Sequence, residues 1–268
     1  MKKLFILLFF ITGFSSLQAW GADFDKGVAA YESGDYATAL KEWTPLAEQG
    51  DVMAQFVVGH MYYAGEGVIQ DYKTAVKWFR RSAEQGDAMA QYNLGAMYNQ
   101  GKGVVQDYKT AVKWYKLAAE QGTARAQDDL GSMYYAGEGV IQDYKTAVKW
   151  YTLAAEQGHA RAQANLGVMY DKGRGVIQDD KTAVKWYTRS AELGYPNAQY
   201  NLGVMYDNGY GVLQDNVYAH MWMNIAASNG NKIASENRDL VAEKMIPSQL
   251  EKAQDLAREC MTKNYIGY

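Results

Sequence analysis

The sequence predicts an all-α chain built as a solenoid of helix hairpins, and three observations carry that expectation. One set of small, polar and aromatic residues returns every 36 positions through most of the 268 residues. Within each unit these residues are spaced by three and four, as on one side of a helix. Glycines recur at the two places in each unit where a helix has to end. The 48% apolar composition is ample for a continuous core. With 27 basic residues against 30 acidic ones, no polybasic surface offers itself to a nucleic-acid backbone.

The chain opens with Met1-Lys2-Lys3 and an apolar run from Leu4 to Phe14, which is too short to span a bilayer. Small and polar residues follow, and residues 1–19 are expected to be a removed signal peptide, with an uncleaved anchor as the alternative. Cleavage would take the formal charge from −3 to −5, because Lys2 and Lys3 leave with it. Export often brings disulfides, yet Cys260 is the single cysteine, so burial has to hold the fold.

Residues 20–50 are expected to form an N-terminal capping hairpin turned by Ser33-Gly34-Asp35, with Tyr36, Ala39, Ala47 and Gly50 already in the 36-residue register. Five repeats follow, at 51–86, 87–122, 123–158, 159–194 and 195–230. In the first, helix A is expected over 51–64 and helix B over 72–85. Gly65 and Gly86 stand where each helix needs a left-handed terminating residue, and Asp71 is placed to cap helix B. Gly59 lies inside helix A, where glycine costs about 1 kcal/mol relative to alanine, so a neighbouring helix is expected against its bare backbone. Ala54, Ala75 and Ala83 suit the same close approach, while Tyr62 and Trp78 fill the space between hairpins. After Gly230 the pattern decays. Residues 231–268 are expected to be C-terminal capping helices, the last opened by a Ser248/Glu251 capping box and carrying an apolar stripe of Leu250, Ala253, Leu256, Ala257, Cys260 and Met261.

The segment Ala88 to Gly122 resembles, almost position for position, the Sel1-like repeat pattern A-x-A-Q-x-x-L-G-x-x-Y-x-x-G-x-G-V-x-x-D-x-x-x-A-x-x-W-x-x-x-A-A-x-x-G. The resemblance covers about residues 51–230, and the first unit departs from it at Val52 and Val58. It implies a right-handed α/α superhelix of tetratricopeptide-like hairpins that binds a protein or extended peptide segment. Residues 20–50 look like a tetratricopeptide hairpin.

No catalytic constellation emerges. The G-x-G loops lack the third glycine, the preceding strand and the Lys-Ser/Thr of a phosphate cradle. His60, His159 and His220 hold unlike places in their units and cannot meet at one metal. His220, Met221 and Met223 read as core filling rather than a copper set, and Cys260 as a small buried hydrophobe. No cofactor and no enzymatic activity are expected. Function is therefore expected in the positions that vary between units. The resemblance places the following row of helix A residues on the concave surface: Met53, Phe56, His60, Tyr63; Met89, Tyr92, Asn93, Asn99; Arg125, Asp128, Tyr135; Arg161, Asn165, Asp171; Asn197, Tyr200, Asn201, Asp207. Tyrosine, methionine and arginine anchor interfaces, and asparagine can pair with an extended backbone. The expected function is an exported adaptor, periplasmic or secreted. The alternative is a cell-wall hydrolase or β-lactam-binding protein resembling the cysteine-rich Sel1-like branch, whose paired cysteines this chain lacks. A subunit of a membrane degradation complex would want a C-terminal membrane helix, for which Leu240 to Tyr268 is too charged.

Overall fold

A computed structural model describes residues 22–265, so the expected signal peptide lies outside the described residues. Within them the chain forms fourteen helices and no strand: α1 (Phe24–Glu32), α2 (Tyr36–Glu48), α3 (Val52–Ala64), α4 (Tyr72–Glu84), α5 (Ala88–Gln100), α6 (Tyr108–Glu120), α7 (Ala124–Ala136), α8 (Tyr144–Glu156), α9 (Ala160–Lys172), α10 (Asp180–Glu192), α11 (Pro196–Asn208), α12 (Asn216–Ser228), α13 (Ala234–Ala242) and α14 (Pro247–Thr262). None of the described helices is long and apolar enough to cross a membrane. Two compact units result, one ending at Arg81 and the other starting at Ser82.

In the unit ending at Arg81, α1 and α2 pair across the expected Ser33-Gly34-Asp35 turn, with Asp35 capping α2 through the Thr38 amide. Trp43 of α2 is 2% exposed and lies flat against Gly27 of α1, where a Cβ atom would collide with the indole. The same device recurs in the next hairpin, where a Cβ on Gly59 of α3 would come within 2.9 Å of the Phe79 ring. The glycine inside helix A is thus a seat for the aromatic side chain of its own partner helix.

The unit starting at Ser82 repeats this arrangement. Gly95, Gly131 and Gly167 face Tyr115, Tyr151 and Tyr187, whose rings would lie 2.6–2.8 Å from an added Cβ. At Gly203 the position of the ring is taken by Met223. Each second helix from α6 to α12 starts on an aspartate as expected: Asp107, Asp143, Asp179 and Asp215 accept from two backbone amides apiece. The first helices end on left-handed glycines. The second glycine of the loop has a different reason: Gly139, Gly175 and Gly211 press on the backbone at Tyr108, Tyr144 and Asp180, the first turn of the preceding repeat's second helix. The G-x-G motif is a packing joint between repeats.

The recurring glutamine has a role that its spacing did not announce. Gln91, Gln127, Gln163 and Gln199 each donate from Nε2 to a carbonyl eight residues back, at Ala83, Ala119, Ala155 and Ala191, at 3.1 Å. The Oε1 atoms of Gln91, Gln127 and Gln199 in turn accept from Gln121, Gln157 and Asn229 at 2.8–2.9 Å. Gln163 breaks the series: its Oε1 is buried with no hydrogen-bond partner, because the position that should supply one is Leu193.

At the C-terminal end, α14 covers the last hairpin. Ala253, Ala257 and Cys260 are fully buried, and Trp222 becomes fully buried too, whereas Trp114, Trp150 and Trp186 remain half-buried at the same position of their repeats. The Ser248/Glu251 capping box is not formed. Pro247 takes the first helical position, so the cap is Ile246, two residues before the serine, and Gln249 Oε1 accepts from the Ile246 amide at 3.1 Å.

Candidate functional site

In the unit ending at Arg81, Met53 is exposed, Phe56 and Tyr63 are half-buried against the Phe79 ring, and His60 Nδ1 stands 3.7 Å from Glu66. Glu66 also accepts from the Tyr31 hydroxyl at 2.8 Å. Burial, only partly offset by Glu66, holds the His60 pKa below the ordinary histidine value.

In the unit starting at Ser82, the predicted row is knitted together across repeats. Asp128 is the departure from expectation: it is completely buried and cannot present itself to a partner. Its carboxylate accepts from Arg161 of the next first helix and from Asn165 Nδ2 at 3.0 Å, and His159 Nδ1 lies 3.4 Å away. A buried carboxylate needs such partners, since an unpaired one would be costly. Arg161 also reaches Asp129, which is not among the row expected from the sequence. The signal was present: Asp129 is at the helix position held by Asn93, Asn165 and Asn201 in the neighbouring repeats. Burial raises the Asp129 pKa against the pull of Arg161, and burial followed by Asp129 pushes the Tyr92 hydroxyl up to about 12.

Further along, Tyr135 packs at a tilt against Tyr144 and is hydrogen-bonded by Arg174, whose guanidinium also lies over its ring. Tyr187 of α10 sits between Asp171 and Asn201, its pKa raised first by burial and then by Asp171. Asn99 lies against the Tyr115 hydroxyl in the same manner. Tyr200 accepts from Asn237 at 3.1 Å, Asp207 pairs with Lys244 at 2.7 Å, and Asn197 accepts from Asn231 at 3.1 Å. Asn93 is half-buried, while Met89, Arg125, Arg161 and Asn197 are exposed. Asp128 and Asp129 therefore tie α7 to α9, the other polar members of the row bond to second helices, loops and the C-terminal cap, and the members at the helix entrances stand above them.

The row ends in an open groove of about 580 Å³ between α11 and α13. Tyr200, Val204, Met223 and Leu240 give it an apolar floor, and Asp207, Lys244 and Asn237 a polar edge. Of His220, Met221, Met223 and Cys260, which lie outside the row, Met223 alone lines the groove. Met221 and Met223 are buried core residues, His220 is 3% exposed, and burial pushes the Cys260 thiol up to about 11, which removes its thiolate at neutral pH.

The Sel1 repeat model matches five consecutive segments, 52–87, 88–123, 124–159, 160–195 and 196–231. Among solved structures, a protective antigen present in uropathogenic Escherichia coli strains and displaying an SLR fold is 37% identical, with a TM-score of 0.79 over 90% of this chain and 53% of the antigen. This chain thus spans about half the length of that relative. A Sel1 repeat protein from Oxalobacter formigenes is 34% identical, with a TM-score of 0.78 over 90% of this chain and 100% of the other. A search of curated proteins finds no match. The all-helical hairpin architecture is that of the Sel1 repeat solenoids, which generally bind proteins.

Proposed function

This chain belongs to the Sel1 repeat family, and from that premise we propose that it is a non-catalytic adaptor which holds an extended segment of another protein on the face built by its first helices. One observation carries the reading. Asp128, Asp129 and Tyr135 are already bonded to the next repeat, Tyr200 and Asp207 to the C-terminal cap, and Asp171 to Tyr187 of its own hairpin, so the face is ordered before a partner arrives and little conformational entropy is lost on binding. Met89, Arg125 and Asn197 stand exposed on this bed and supply an adaptable thioether, a forked cation and an amide that can pair with a peptide backbone. The groove between α11 and α13 suits an apolar side chain of the bound segment, with Asn237 and the Asp207–Lys244 pair at its edge. The same reading has the protein exported, to the periplasm or beyond it, on the strength of Lys2-Lys3 and the apolar run that follows.

The test is affinity capture from native envelope extract and culture medium with the wild-type chain and a variant carrying Met89→Ser, Arg125→Ser and Asn197→Ser. All three side chains are exposed, so the variant keeps its fold. A protein retained by the wild type and lost by the equally helical variant supports the reading. Equal retention by both contradicts it, as does hydrolysis of peptidoglycan or a chromogenic β-lactam by a chain that retains no protein.

A further inference from the structure

Each repeat follows its first helix with a loop from which one aliphatic side chain stands in solvent. In the unit starting at Ser82 these are Val105, Ile141, Ile177 and Leu213, each 88–91% exposed and 36 residues from the next. Ile69 has the same place in the other unit. These side chains are not carried on slack chain. The residues just before them, Val140, Val176 and Val212, turn inward onto the core. On the other side, Gln106, Gln142 and Gln214 donate to the carbonyls of Asn99, Tyr135 and Asp207 at 2.7–2.8 Å. The loop glycines Gly139, Gly175 and Gly211 are seated on the preceding repeat. Folding therefore fixes each loop with its apolar tip outward, although the tip adds nothing to the core.

We propose that this ladder is a self-association surface whose occupant is the same ladder on a second copy of the chain. An evenly spaced row of equivalent side chains is self-complementary under a two-fold axis, since tips from an antiparallel copy meet it with the same period. The area suffices: at roughly 60–120 Å² of apolar surface per aliphatic side chain, eight of them bury about 500–1,000 Å² before the flanking loop atoms are counted, which approaches the ~1,000 Å² a specific interface needs. The charges permit it. Segments 101–109, 137–145, 173–181 and 209–217 carry five basic and six acidic side chains, so two ladders do not repel, and the basic strip that would attract anionic lipid headgroups is missing.

Sedimentation velocity over about 1–100 µM protein tests this with the full mature chain, an Ile141→Ser/Ile177→Ser variant, and an Ile177→Arg variant, with circular dichroism as the check on folding. The expected result is a concentration-dependent dimer whose dissociation constant rises at least about tenfold in either variant, helicity being unchanged. A wild-type chain that stays monomeric throughout overturns the proposal, and so does a dimer indifferent to both substitutions. A monomer that floats with phosphatidylserine-containing vesicles and loses this on Ile177→Arg overturns it in favour of a lipid surface.

Discussion

Leu193 sits where the other repeats place an amide, and its replacement by glutamine should stabilise the protein. Gln121, Gln157 and Asn229 each donate to the buried Oε1 of the glutamine thirty residues earlier, and Gln163 Oε1 is left without a donor. A buried polar atom left unpaired costs about 1–3 kcal/mol. Ordering a glutamine side chain costs up to about 1.5 kcal/mol, so the net gain is about 1 kcal/mol. The backbone is ready for the change: Leu193 has φ −85° and ψ 7°, against −80° and 3° at Gln157 and −83° and 4° at Gln121. Little is lost with the leucine, which is 56% exposed. For a chain of this length 1 kcal/mol corresponds to a rise in Tm of about 2–4 °C. Because repeat arrays respond locally, native-state hydrogen exchange should show the gain concentrated around α9 and α10. Gln157→Leu is the mirror experiment and should lower Tm by a similar amount by orphaning Gln127. If Leu193→Gln leaves Tm unchanged or lowers it while Gln157→Leu is neutral, the amide ladder between repeats is not a stabilising element.

Three other perturbations follow from the same packing. Arg161→Ala should cost about 2 kcal/mol in urea denaturation, below the 3–5 kcal/mol of a fully buried pair because Arg161 is partly exposed, and Arg161→Lys should not restore it, since one ammonium cannot bridge Asp128 and Asp129 as the fork does. Gly131→Ala should destabilise by about 1–2 kcal/mol despite alanine's higher helix propensity, because its Cβ would meet the Tyr151 ring at 2.8 Å; unchanged stability would show that the ring moves aside freely. Burial lowers the pKa of His60, His159 and His220, so the folded chain binds fewer histidine protons than the unfolded one, and their contribution is present above about pH 6.5 and lost as pH falls below it. The urea midpoint should then decline from pH 7.5 towards pH 5.5, less steeply in His159→Asn, which keeps a capping side chain; an equal slope in that variant would remove His159 from the account.

Most of the fold was legible because a repeat states its packing rules several times. Gly59 and Gly65 could be told apart by position, one inside a helix and one past its end, and the structure gives each the role its place implies. The partner of Gly59 was not legible. The ring against it belongs to Phe79, a position that is Phe, Tyr, Tyr, Tyr and Met along the array and is therefore blurred in a search for identity. The recurring glutamine showed the opposite limit: it was perfectly periodic, yet its targets are backbone carbonyls, which leave no trace in the side-chain pattern. In the candidate face, variation between units does not imply freedom from packing, as Asp128 shows. It differs from Tyr92 and Tyr200 because its neighbours are Arg161 and Asn165, so a polar contact between repeats varies in concert on both sides while remaining structural. The exposed residues Met89 and Arg125 escape that objection, whereas Asn197 Oδ1 is already bonded to Asn231.

If a protein partner lies along the first helices, site-specific photo-crosslinking will trap it there. A photoreactive phenylalanine would be placed in turn at Met89, Arg125 and Asn197, and at Lys149 on the exposed side of a second helix, and each chain irradiated in native extract. One common protein adduct is expected from the first three positions and none from Lys149. Adducts from Lys149 alone, or unrelated adducts from each of the three, would contradict it.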